Sequence, residues 1–271
     1  MTPRAIPLAR PFDALRTALL SVLVVTTVGP LALLMVTSVG EGWFFPAFLP
    51  PGWNASAWRG ALSDQALGRA LFTSVWLAGA TAVLATAITL PLGRAMARLH
   101  GWRRHLTAAA AFLPVAAPPL ALGTGLQVVL LRAGLGGTPQ GVLLAHLVPA
   151  VGYLSLIFLG TFALFDSRVE DEARTLGATR AQTWRLVTLP LLASPIAEAL
   201  IVGFLVSWSQ FALTLVVGGG AVSALPLEVF AYVRAGQDRA AAVGALLLVV
   251  PPAAAFMVVR WAARRTAVWA G

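Results

Sequence analysis

Glu170, Asp171 and Glu172 stand side by side in the chain, and Arg168, Arg174, Arg180 and Arg185 interleave with them within one stretch, Asp166 to Pro195. Carboxylates and guanidinium groups set this close together suit charge-assisted contacts to a partner. A second polar set, Ser207, Ser209 and Gln210 around Trp208, lies inside a long apolar run, as does Gln127. Such side chains either bond across helices or face a solute path, and for each one alone the interhelical bond is the favoured reading. His146 has no nucleophile at a recognisable spacing, and His100 and His105 flank Arg103 and Arg104, so histidine catalysis lacks a partner. The chain has no Cys, which removes thiolate nucleophiles, disulfides, Fe–S clusters and Cys-bound zinc. All nineteen basic residues are Arg. Schiff-base chemistry and a Walker A loop are therefore excluded, and any ATP that drives this chain is bound by another one.

The elements that position these residues are membrane helices. Apolar residues make up 59% of the 271, charged residues 11%, and mean hydropathy is +0.84. A soluble domain carries about 25% charged residues, so a water-soluble enzyme is excluded. A pI near 11.7 invites a nucleic-acid reading, but the arginines sit at the ends of apolar runs rather than along a polar face, and no nucleic-acid partner is expected. A crossing helix needs about 20 apolar residues. Six charge-free stretches meet that length, which predicts spans near 17–39, 70–93, 106–131, 142–165, 196–218 and 240–261 within one transmembrane domain, 1–271. Arg4, Arg10 and Arg16 ahead of the first stretch mimic a signal peptide, but the stretch exceeds the usual 7–15 residues of a signal core, about twofold. It reads as an uncleaved first helix.

With the N-terminus inside, fourteen arginines fall on inner segments and five on outer ones, which puts both termini in the cytoplasm. Trp43, Trp53 and Trp58 then mark the outer interface, and Trp102, Trp261 and Trp269 the inner one. Pro91, Pro114, Pro118, Pro119, Pro149, Pro251 and Pro252 predict kinks in several spans.

Loop 166–195 reads as two short cytoplasmic helices. Ser167 to Glu170 is spelled as a capping box, Gly177 ends the first helix, Thr179 to Gln182 is a second capping box, and Pro190 ends the second helix. Val169, Ala173 and Leu176 make an apolar stripe at helical spacing. Acidic residues outnumber Arg in the first helix, which argues for a protein partner over anionic lipid headgroups.

Asp171-Glu172-Ala173, then Gly177-Ala178, Trp184 and Leu189-Pro190, resembles the EAA loop of type I ABC importer permeases. In that family the pattern is Glu-Ala-Ala, three residues, Gly-Ala, an aromatic six further on, then Leu-Pro; here Asp171 replaces its Glu and Glu172 its first Ala. The resemblance covers roughly residues 70–265. It implies an all-α membrane protein of six helices, without catalytic, metal or cofactor residues of its own, on a bacterial inner membrane.

It further implies a coupling helix, formed by Glu170, Asp171, Glu172, Ala173, Leu176, Gly177, Ala178, Trp184, Leu189 and Pro190, seated on a cytoplasmic ATPase dimer that carries ATP and Mg. The other implied partners are a second permease subunit, as a heterodimer rather than a homodimer, an extracytoplasmic solute-binding protein and membrane lipid. The solutes it suggests are thiamine, ferric iron, polyamines and oxyanions. A secondary transporter would want intramembrane acids and internal repeats, and neither is present in the sequence.

Overall fold

The computed structural model describes residues 10–43 and 46–267, with side chains over 15–43 and 46–258. Arg4, Trp269 and both chain ends lie outside the described residues, as do the side chains of Arg10, Arg260, Trp261, Arg264 and Arg265. The chain divides into two compact units.

The first unit holds residues up to Asp64 together with Val229–Leu247. Its helix α1 (Arg10–Val39) passes through Pro30 and leads into a two-residue ladder, β1 (Gly40–Glu41) against β2 (Gly52–Trp53). Short helix α2 (Ser56–Ser63) follows. The Trp58 indole donates to Ser38 Oγ at 3.0 Å, Tyr232 donates to Asp64 at 2.8 Å, and Arg239 donates to the Asn54 carbonyl. Along α1, Leu19, Val22, Leu23 and Met35 are each about half exposed or more, and an 18-residue window of its apolar stretch Leu15–Val39 holds no buried residue. Such a surface is stable against hydrocarbon or another membrane helix rather than water.

The second unit holds Gln65–Glu228 and the segment from Leu248 onward. Its frame is α3 (Gln65–Ala97) packed on α6 (Pro139–Leu164) and α10 (Ala193–Trp208), around Leu154, Phe158, Ala199 and Leu192. Gly93 lets α3 approach α6 closely: a Cβ there would come within 2.4 Å of Phe158 Cβ. Thr138 caps α6 by accepting from Gly141 N at 3.0 Å.

Among the described residues four helices are long and apolar enough to cross a membrane, or up to six if each bent pair is one span. The third predicted span is one such pair, α4 (Trp102–Ala116) and α5 (Pro119–Arg132), bent by 97°. Pro118 and Pro119 cause it: a residue before proline is pushed to extended backbone, and Ala117 sits at φ −70, ψ 138. The fifth predicted span also breaks. α10 ends at Trp208 and α11 (Phe211–Gly218) begins three residues later. Gln210 between them has φ −82, ψ 65, and Phe211 N bonds Ser209 O at 2.9 Å, an inverse γ-turn. No Pro or Gly marks that break. Helix α12 (Leu225–Arg234) follows, and the sixth predicted span falls on α13 (Asp238–Leu247) and α14 (Val250–Ala267), separated at Leu248–Val249.

Between α6 and α10 lie α7 (Arg168–Thr175), α8 (Arg180–Thr183), one π-helical turn (Trp184–Thr188) and α9 (Leu189–Leu191). The second loop helix does not stop at Pro190; it runs to Leu191, and the 67° bend into α10 comes at Leu192. Proline in a helix removes one donor and crowds the carbonyl four residues back. The π turn accommodates Pro190 by changing the register just before it, with Leu189 N reaching back five residues to Trp184 O.

Candidate functional site: a tethered loop and a bridged helix break

The loop between α6 and α10 is fixed by Glu170. The sequence spells a capping box from Ser167 to Glu170, but Ser167 makes no side-chain cap and Glu170 points elsewhere. Asp166 does the capping, accepting from Arg168 N at 3.0 Å. Glu170 is 4% exposed and takes a forked ion pair from Arg94 of α3, at 3.0 and 2.5 Å, while Thr188 donates to the same carboxylate at 2.6 Å. Burial alone would raise its pKa. The hydrogen bonds from Arg94 and Thr188, with the charges of Arg94 and Arg174, outweigh burial and hold the carboxyl below its ordinary range. The Arg94 guanidinium also lies 5.8 Å from the Phe162 ring centroid and 5.5 Å from that of Trp184. Glu170 and half-buried Trp184 thus hold the loop to its own chain instead of facing outward.

The outward surface consists of other residues. Asp171, Glu172, Gly177 and Pro190 are exposed; Ala173, Ala178 and Leu189 are half-buried. Leu176 is 89% exposed rather than part of a packed stripe, because it is the C-cap residue of α7. Gly177 takes φ +91, and the chain reverses in a Schellman motif: Gly177 N bonds Arg174 O and Ala178 N bonds Ala173 O, both at 3.0 Å. The second capping box forms as spelled, Thr179 with Gln182. Leu186, which the sequence reading passed over, is 68% exposed near Leu176 in sequence.

A second arrangement sits at the break between α10 and α11. His146 of α6 is 2% exposed; its Nδ1 lies 2.8 Å from Ser207 Oγ and its Nε2 3.0 Å from Thr214 Oγ1. Ser207 precedes the break and Thr214 follows it, so one imidazole spans both sides. Thr214 already spends its proton on the Gln210 carbonyl at 2.6 Å. The network therefore assigns the ring proton to Nε2, and Nδ1 accepts from Ser207. Ser74 closes the same region by accepting from Leu225 N at 2.8 Å. Nearby, the Trp208 indole donates to the Leu248 carbonyl, which has Pro252, a residue without an N–H, four positions on.

Ser207 and Gln210 line one small pocket with Ser74, His146 and Thr214; Ser209 and Gln127 are not among its lining residues. Ser209 is exposed and bonds back to Val206 O, and Gln127 is half-buried on α5. Sequence reasoning set His146 aside because its partners stand 61 and 68 residues away.

A family profile described as binding-protein-dependent transport system inner membrane component matches residues 89–268. The molybdenum transport system permease protein ModB of Mycobacterium bovis is 30% identical over 196 residues, 67% of this chain and 74% of that protein. The spermidine/putrescine transport system permease protein PotC of Haemophilus influenzae is 24% identical over 208 residues, 76% of this chain and 80% of that one. In fold, the chain is similar to a chain of a bacterial ABC transporter that imports the acidic polysaccharide alginate. The likeness covers 96% of this chain and 99% of that one, with TM-score 0.73 at 16% identity. On the profile match and the ModB identity, the chain belongs to the inner-membrane components of binding-protein-dependent transport systems, a multi-pass ABC importer permease of the bacterial inner membrane.

Proposed function

We propose that the chain spans the membrane six times with both termini cytoplasmic, and that α7 to α9 form the element through which a separate ATPase drives it. ATP and Mg act on that partner, and an extracytoplasmic binding protein delivers the solute. An ATPase dimer offers two docking grooves, so a second permease subunit completes the assembly, as a heterodimer. The observation that carries this reading is the division of labour in the loop. Glu170 and Trp184 tether it to Arg94 of α3, while Asp171, Glu172 and Leu176 stay exposed for a partner. A tethered element transmits displacement as a lever because little of the push is lost in the loop itself.

Reversing both exposed charges, Asp171→Lys with Glu172→Lys, is expected to stop the ATPase from co-purifying in mild detergent while the permease still inserts. Undiminished assembly would move the contact elsewhere. Gly177→Val forces a β-branched residue into a positive φ, which disfavours the turn by about 1–2 kcal/mol. A Cβ there meets nothing within 4 Å, so the strain is in the backbone alone. The expected outcome is normal insertion and ATPase binding with hydrolysis uncoupled from uptake. Normal uptake by this variant would count against the lever.

The solute we propose is a small oxyanion. The relation to ModB supports this reading. Uptake of radiolabelled molybdate, sulfate and putrescine by cells carrying the transporter decides it, and saturable putrescine uptake alone would overturn the assignment.

A further inference from the structure

A groove on the second unit has the chemistry of a phospholipid site. It runs between α4 and α6 beside the end of α3, and its walls are apolar: Leu92 and Met96 from α3, Ala111 and Pro114 from α4, Leu147 and Val151 from α6. Its floor is tight, because a Cβ on Gly152 would come within 2.6 Å of Ala111 O. A second cavity lies on the same helices, lined by Leu99, His100, Arg104, His105, Ala108 and Leu159. The two are in series along the same helix faces. Arg104, Ala108, Ala111 and Pro114 follow one side of α4 at spacings of three and four, and Leu159, Ser155, Gly152 and Val148 do so on α6.

From Leu147 to Leu159 the helix rises about 18 Å, slightly more than the roughly 15 Å depth of one leaflet. Charge is arranged to match. Arg104 is half-buried in the mouth, Arg98 and Arg103 are exposed close by in sequence, and no carboxylate lines either cavity. That Arg94 of α3 reaches Glu170 puts the mouth at the same end of α3 as the coupling loop.

We propose that this groove binds an anionic phospholipid, with one acyl chain between α4 and α6 and its phosphate on Arg104. Basic pockets between membrane helices on the cytoplasmic side select such headgroups. The leaflet named depends on the orientation proposed above; the binding itself does not. A lipid held there wedges α4 against α6 next to the coupling loop, so its occupancy bears on how firmly the loop's supports are packed.

The test uses the intact transporter, purified in mild detergent and examined by native mass spectrometry and thermal unfolding. Phosphatidylglycerol is expected to stay bound and raise the melting temperature, whereas phosphatidylcholine does not. Arg104→Gln is expected to weaken phosphatidylglycerol retention about fivefold. Ala110→Phe, at an exposed position that lines the groove, is expected to abolish retention while the ATPase still co-purifies. Soluble glycerol phosphate separates headgroup chemistry from the lipid. Equal stabilisation by it would reduce the site to an anion contact and overturn the proposal. So would unchanged retention in both variants, or crosslinks from position 110 to a second permease subunit, which would make the groove a protein interface.

Discussion

Glu170→Ala is expected to lower the stability of the permease by about 3–5 kcal/mol and to abolish uptake, although Glu170 is buried against its own chain. The substitution leaves the Arg94 guanidinium, 21% exposed, without its counter-charge and removes the acceptor for Thr188. Arg cannot shed its proton to escape, so the folded state carries an unpaired, partly desolvated charge. The paired change Arg94→Met with Glu170→Leu is expected to recover most of the melting temperature, since apolar replacements of a buried pair are often neutral. Uptake is not expected to recover with it, because Trp184 and Phe162 lose the guanidinium over their rings.

The clamp also sets an acid limit. Its carboxyl pKa is depressed, so an unfolded chain binds more protons in the acid range. The stability it contributes is complete above the ordinary value near 4.5 and is lost as pH falls through the lower folded value. Thermal melts of wild type and Glu170→Gln should therefore converge in acid and separate toward neutrality. Parallel curves, or a Glu170→Ala loss below about 1 kcal/mol, would remove the clamp from the account.

His146→Leu is the second large effect. The leucine fills the space but leaves the Ser207 and Thr214 hydroxyls without the bridge that joins the two sides of the α10–α11 break. Leaving such groups unsatisfied costs about 1–3 kcal/mol, toward the lower end inside a bilayer. The larger consequence is geometric. No proline or glycine fixes this break; a γ-turn at Gln210 and the imidazole do. Uptake is expected to fall at least tenfold while the assembled transporter still purifies, and a cycle with Thr214→Val should show coupling of about 1 kcal/mol. Independent, additive effects would mean that His146 merely fills space.

The two sites differ in how visible they were from residue order. The loop between α6 and α10 was legible because its signals are local: Gly177 at the turn, Thr179 with Gln182 at the cap, and the spacing to Trp184 and Pro190. At the first capping box local spelling misled because a distant group competed. Glu170 stands where a capping-box glutamate stands, yet Arg94, 76 residues earlier, offers a charged fork that a backbone N–H cannot match. The bend at Pro118–Pro119 is written in the prolines, although their effect is a sharp break and not a kink. The break at Ser209–Gln210 is written nowhere nearby, since the group that bridges it comes from α6.

The π turn at Trp184–Thr188 makes the interval from Gly177 to Pro190 a ruler. A π turn is an α-helix with one residue inserted, and each residue of helix advances the phase by about 100°. Deleting any one residue between 184 and 188 would let the segment close into plain α-helix, at the expense of that phase. Trp184 and Thr188 now meet Arg94 and Glu170 from one side; after the deletion only one of them could. Related chains can therefore vary the letters of this interval far more freely than its length.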